Sequence, residues 1–263
     1  MALQRTFYRL QTSEVPISTT ELTKSFGWDS MDSFMQHDVH EFNRVLMDEL
    51  ETRMKKTEVD GMVQKIFTGK LQHIRKCLNV DFQSVREEDF YDVQLTVRGM
   101  NNLTSAFEAY IKPEMLTGDN KYHTDEFGYQ DAKMFCAFDS FPPVLHLHLE
   151  RYTFDPYTGN TVKINDRFEF PTKINLDKYL VEGADRSVPQ NFVLHSVLVH
   201  GGDSHGGHYF AYIKLGDKWF KFDDTRVVQV SEKEAVNDNY GQDEELSAPP
   251  AYDTETFARP PSF

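Results

Sequence analysis

Two alternating runs separated by Gly216-Asp217 set the tightest limit on this chain. The first is His208-Tyr209-Phe210-Ala211-Tyr212-Ile213-Lys214-Leu215, and the second is Lys218-Trp219-Phe220-Lys221-Phe222. A period of two on both sides of a two-residue Gly-Asp link predicts an antiparallel hairpin. That hairpin returns Asp223 to the side of His208. A general base needs such a carboxylate, because the acid selects the tautomer and stabilises the imidazolium. Gly206-Gly207 ahead of His208 lets the backbone turn tightly and leaves room for another chain to approach. A single histidine is more often a structural or surface residue, but this one faces the Asp223-Asp224 pair.

The rest of the chain divides by period. Apolar residues Phe34, Phe42, Val45, Leu46 and Leu50 recur at helical spacing, predicting a helix over 31–56 capped by Ser30. Shorter helices are predicted over 2–10 and 20–26, the second capped by Thr19 or Thr20. From about Gly61 the period becomes two. Strands are predicted over 70–77, 89–97, 144–152, 162–170, 192–200, 208–215 and 218–222. Short helices are predicted over 102–111 and 231–237. The Pro-rich end, residues 248–263, is aperiodic and predicts a disordered tail. Helices first and strands afterwards make an α+β chain.

Composition excludes several function classes. The 263 residues suffice for a sizeable core, and 39% are apolar, with 21 Phe and 12 Tyr. A formal charge of −14 argues against nucleic acid, whose phosphates demand basic patches. It suits either a basic protein partner or mere solubility. No run is long enough for a membrane span, and the N-terminus lacks a secretory signal. Two cysteines cannot build a disulfide framework, which points to an intracellular, cytoplasmic or nuclear setting.

A second polar cluster is Gln36-His37-Asp38-Val39-His40-Glu41-Phe42. Asp38 and Glu41 are three apart at the start of an amphipathic helix, so both carboxylates share one face. The pattern reads either as a solvated helix end complementing the dipole or as an acidic binding feature.

With these motifs in view, the chain resembles the ubiquitin-specific proteases. Gln36 through Phe42 is similar to that family's glutamine box, His205 through Tyr212 to its histidine box, and Lys221-Phe222-Asp223-Asp224 to its third-member motif. Ser25-Phe26-Gly27-Trp28, Pro142-Pro143-Val144-Leu145-His146-Leu147 and Lys163-Ile164-Asn165-Asp166-Arg167-Phe168 also fit, in the expected order. The resemblance implies a papain-like α+β cysteine-protease fold of thumb, palm and fingers. Residues 1–56 would belong to the helical thumb and 57–247 to fingers and palm. It implies His208 as general base, Asp223 as its orienting acid and Asp224 as a polar helper. Asp38, Glu41 and Tyr209 would hold the C-terminal tail of ubiquitin, with ubiquitin and ubiquitinated proteins as partners. The loops 152–163 and 201–207 would flank the cleft.

The chain departs from the family pattern in two places. The family's nucleophilic cysteine lies well upstream of the glutamine box, whereas here no Cys precedes Gln36. The palm-closing strand expected after the acid is replaced by Ala251-Tyr252-Asp253-Thr254. The fold is therefore expected to be incomplete at both ends and the chain inactive unless a Cys-bearing segment is supplied. A ubiquitin-binding pseudoenzyme and a non-enzymatic interaction scaffold remain alternatives. Cys77 and Cys136 are expected to be too far from His208 to substitute, Cys136 as an inert core thiol. No Cys-x-x-Cys pairs occur, and the spacings of His195, His200, His205 and His208 with Asp203 fit metal ligation poorly, so neither cofactor nor metal is expected.

Overall fold

The computed structural model describes residues 2–25, 27, 38–157, 159–202 and 206–242. Helices open the chain: α1 (Ala2–Thr12), α2 (Thr20–Ser25), α3 (Val39–Met54) and α4 (Met62–Phe67). Then come β1 (Gly69–Cys77), β2 (Gln83–Phe90), β3 (Asp92–Thr96), α5 (Leu103–Tyr110), β4 (Glu114–Leu116), β5 (Tyr122–Thr124) and β6 (Gly128–Gln130). The next group is β7 (Ala132–Ser140), β8 (His146–Glu150), β9 (Tyr152–Asp155), β10 (Asn160–Lys163), β11 (Lys173–Asn175) and β12 (Asn191–Val193). The last is β13 (Ser196–Gly202), β14 (Gly207–Leu215), β15 (Lys218–Asp223), β16 (Arg226–Val230) and α6 (Glu232–Ala235). No helix among the described residues is long and apolar enough to cross a membrane. Ser30, Gln36, His37, Asp203, His205, Ala251, Tyr252 and the tail 248–263 lie outside the described residues.

Two four-stranded sheets organise the β-rich part. One has the order β2-β1-β7-β4, the other β13-β14-β15-β16. The second is an antiparallel meander, and its central hairpin pairs Leu215 with Lys218 across the predicted Gly216-Asp217 turn. Gly216 takes φ 61°, a conformation that side-chain-bearing residues rarely adopt. Apart from these sheets, β3 and β8 pair in parallel, Asp92 opposite His146 and Gln94 opposite His148.

Each sheet closes a core. Val93, Leu95, Val97, Phe107, Phe138, Phe168 and Leu176 are fully or almost fully buried in the larger cluster. Phe107 stacks on Tyr179 with ring centroids 4.9 Å apart, and Phe138 stacks on Phe141 at 4.5 Å. The smaller cluster joins Tyr212 and Trp219 of the meander to Ala235, Val236 and Tyr240. Phe170 packs against both. Leu, Val and Ile side chains fill the larger cluster around its aromatic rings, which add stacked and edge-on contacts.

Several elements differ from the sequence expectation. Of the expected helix over 31–56, residues 31–37 lie outside the described residues, and the rest is α3, entered at Val39 with Asp38 extended (φ −69°, ψ 134°) as its N-cap. The expected strand 89–97 is two strands, since the chain leaves the β1 partner after Phe90 and joins β8 from Asp92. The expected strand 162–170 ends at Lys163. Beyond it the backbone bonds piecemeal to distant segments, Ile164 to Arg151, Phe168 to Tyr240 and Glu169 to Asn101. The Arg151 guanidinium secures this crossing by donating to the carbonyls of Ile164, Asp166 and Tyr240. Strands β2, β4, β5, β6, β7, β11 and β16 were not anticipated. The first of these, Gln-Ser-Val-Arg-Glu-Glu-Asp-Phe, is too polar to stand out by periodicity.

Candidate active site

The meander delivers the predicted pair. His208 is the second residue of β14 and Asp223 ends β15, and the ring Nε2–H donates to Asp223 Oδ1 at 2.6 Å. The other carboxylate oxygen, Oδ2, accepts from the Lys221 ammonium at 2.8 Å. Lys221 first, and His208 second, hold the Asp223 carboxyl below its usual range. In return the hydrogen bond to Asp223 raises His208 above the ordinary imidazole value. Asp224 follows in a left-handed conformation, φ 51°, and is exposed.

Close approach at the glycines comes from the chain itself. A Cβ on Gly207 would collide with the Gly201 carbonyl and the His200 ring, so β13 occupies the space that the sequence left open for another chain. His200 is itself well tied, with Tyr152 Oη 2.7 Å from its Nδ1. The Lys163 ammonium donates to the carbonyls of His200 and Gly202 at 2.6 and 2.9 Å. The β9–β10 hairpin is thereby fastened to the strand end that leads toward His208.

Asp38 meets the same sheet from the helical side. Its Oδ1 accepts from the His40 and Glu41 backbone N–H groups at 2.8 and 3.4 Å, capping α3. Its Oδ2 accepts from the Tyr209 hydroxyl at 3.0 Å. Burial alone would raise the Asp38 carboxyl, but the bonds from Tyr209, His40 and Glu41 outweigh it and lower it. Burial, then Asp38, push the Tyr209 hydroxyl up to about 12. Glu41 lies exposed in the first turn of α3. The structure thus brings Asp38 to Tyr209 and His208 to Asp223, on neighbouring residues of one strand.

Sequence reasoning missed the support beneath α3. The Asp92 carboxylate is almost fully buried, with His40 Nε2 at 3.0 Å and Arg44 Nε at 3.5 Å from Oδ2. The His40 ring lies against His148, centroids 4.3 Å apart. The available signal was the alternation His146-Leu147-His148, which puts both histidines on the side of the strand opposite Leu147. Lys221 stood in the recognised motif without a role, and period two along β15 places it on the face of Asp223.

Neither cysteine is built for attack. Cys77 is buried at the end of β1 and Cys136 half-buried in β7, both in the other sheet from His208. The Cys136 thiol donates to the Tyr110 carbonyl at 3.2 Å, and burial raises it. Among the described residues, His208, Asp223 and Asp224 offer ligand atoms within 4.8 Å of one another. A cation there would have to displace Lys221 from Asp223 and the proton from His208 Nε2, so the group already has its counter-charges.

Comparison with known proteins identifies the family. The family model described as ubiquitin carboxyl-terminal hydrolase matches residues 1–251. Ubiquitin carboxyl-terminal hydrolase 15 of Schizosaccharomyces pombe is 54% identical over 242 residues, covering 91% of this chain and 21% of that protein. Ubiquitin C-terminal hydrolase 12 of Arabidopsis thaliana is 52% identical, covering 94% and 23%. Ubiquitin carboxyl-terminal hydrolase 7 of Drosophila melanogaster is 50% identical, covering 94% and 22%. The chain spans about a fifth of the length of these curated relatives. A family match over nearly every residue, on an α+β structure that joins the histidine and third-member motifs, means that the chain belongs to the ubiquitin carboxyl-terminal hydrolases, with the papain-like fold of their ubiquitin-specific protease members.

Proposed function

We propose that this chain carries the base and the ubiquitin groove of a cysteine-type deubiquitinase. In this reading residues 1–56 are the helical thumb and 57–247 the fingers and palm. His208 is the general base, Asp223 orients it and Asp224 is a nearby polar helper. Asp38, Glu41 and Tyr209 hold the C-terminal tail of ubiquitin, whose arginines suit an acidic groove. The observation that carries the reading is the 2.6 Å contact from His208 Nε2 to Asp223. An ionised carboxylate only accepts, so the ring proton sits on Nε2 and the lone pair on Nδ1. Nδ1 would take the proton of a thiol, and the thiolate would attack the isopeptide carbonyl. The same proton would pass to the departing lysine amine, and water activated at Nδ1 would then hydrolyse the thioester.

Hydrolysis needs a thiol facing Nδ1, and the positions of Cys77 and Cys136 favour a second reading for these 263 residues on their own, that they grip ubiquitin without cutting it. Turnover is expected only when a cysteine-bearing segment is supplied. Two free thiols fit a reducing intracellular compartment, cytoplasmic or nuclear, and the charge of −14 opposes nucleic acid as a partner. The deciding experiment is calorimetric titration of the chain with ubiquitin, alongside hydrolysis of a fluorogenic ubiquitin amide. Binding that weakens when Asp38 and Glu41 are both changed to Lys supports the groove, and unchanged affinity removes it. Cleavage by the 263 residues unaided would overturn the binding-only reading.

A further inference from the structure

Lys221 stands two residues before Asp223 on β15, so strand alternation puts both side chains on one face of the meander. Phe210 shares that face from β14, and the Lys221 ammonium sits 4.1 Å from the centroid of its ring. The same ammonium reaches Asp223 Oδ2 at 2.8 Å. A pocket of about 190 Å³ lined by Lys221, Asp223, Arg226, Val228 and Glu234 opens beside the contact, so water can reach it.

The carboxylate needs this second hold. Rotation about the last bond of an aspartate is soft and its two oxygens are equivalent. His208, half exposed, cannot fix by itself which oxygen it meets. Asp223 is also the last residue of its strand, followed by Asp224 in a left-handed turn. We propose that Lys221 is a positioning residue for the base pair: clamped on the Phe210 ring, it pins Oδ2 of Asp223 so that Oδ1 faces His208 Nε2 and Nδ1 stays free as the basic atom. The cation–π seat matters because a bare lysine stem samples many rotamers, and the ring restricts them.

This role rests on the reading of His208 and Asp223 as base and orienter, and one experiment separates the two. As a nearby positive charge, Lys221 disfavours protonation of His208. As a clamp, it favours protonation by presenting the carboxylate. Removing it therefore shifts the His208 titration up if only its charge matters, and down if its positioning matters.

The measurement is the titration and tautomer state of His208, followed by ring nitrogen and carbon NMR shifts on the whole chain. Parent, Lys221→Met, Lys221→Arg and Asp223→Asn are compared. Methionine keeps the length and the contact with Phe210 while losing the charge. Asp223→Asn is expected to lower the proton-binding constant of His208. Lys221→Met is expected to lower it in the same direction, by about threefold, with a smaller share of the Nε2–H tautomer. Lys221→Arg is expected to restore both. A Lys221→Met titration that rises or stays in place would overturn the positioning role. An unchanged titration in Asp223→Asn would instead overturn the base-pair reading. Should Lys221→Met fail to fold, Lys221→Gln is judged by the same criterion.

Discussion

Asp38 does two jobs with two oxygens, which makes it the most informative single residue to change. Oδ1 caps α3 while Oδ2 receives the Tyr209 hydroxyl from the sheet. Asp38→Ala removes both and is expected to cost about 1 kcal/mol, the usual worth of an N-cap, in urea unfolding. Asp38→Asn keeps an acceptor for the helix N–H groups and deletes the charge. It is therefore expected to stay close to the parent in stability while binding ubiquitin more weakly. An asparagine variant with the parent's affinity would show that capping, not charge, is what Asp38 supplies.

At the scale of elements, the approach of β13 to β14 and the seam between α3 and β8 are the sensitive places. Gly207→Ala drives a methyl group into the Gly201 carbonyl and the His200 ring, and backbone cannot move aside cheaply. The variant is expected to lose about 1–3 kcal/mol in denaturant unfolding and to displace the His208 resonances. The seam responds to pH. Burial first, and His40 second, hold His148 below the ordinary imidazole value, with Asp38, Asp92 and Glu150 pulling the other way. Burial does the same to His146, against Asp92. A folded-state value below the unfolded one favours the neutral ring, so this stabilisation is present above the unfolded value and lost as pH falls from there through the folded value. The melting temperature and the protection factors of the α3 amides are both expected to drop from about pH 7.5 to about pH 5.5. His208, raised by Asp223, acts in the opposite sense, so the decisive reading is the difference between the parent and His148→Gln. If that variant keeps the parent's full pH dependence, His148 is not the sensor.

The whole molecule depends on two apolar clusters bridged by Phe170 and on a strongly negative surface. Phe107 is fully buried between Phe138 and Tyr179, and Phe107→Ala is expected to cost about 3–5 kcal/mol in urea unfolding. If the chain grips ubiquitin as proposed, its charge of −14 adds an electrostatic component, and the on-rate is expected to fall steeply with added salt in stopped-flow measurements. A salt-independent rate would assign the acidity to solubility alone.

The contact between His208 and Asp223 was legible in the sequence. Period-two runs around Gly216-Asp217 demanded the β14–β15 hairpin, and the hairpin alone returns Asp223 to His208, because register follows from a two-residue turn. The family resemblance, carried by short motifs in order, pointed to the same pair and to Asp38 and Tyr209. What stayed hidden depends on contacts between distant segments. Asp38 with Glu41 three residues on is a local start signal for α3, but no local pattern says that the second oxygen of Asp38 meets the Tyr209 hydroxyl 171 positions away. Nor does the sequence say that β3 leaves the β1 sheet to lie parallel to β8, placing Asp92 under His40. Backbone period and turn chemistry are local and survive in the bare sequence. The partner of a buried charge, the strand beside a strand and the side chain above a glycine are settled only when the folded chain brings remote residues within hydrogen-bonding reach.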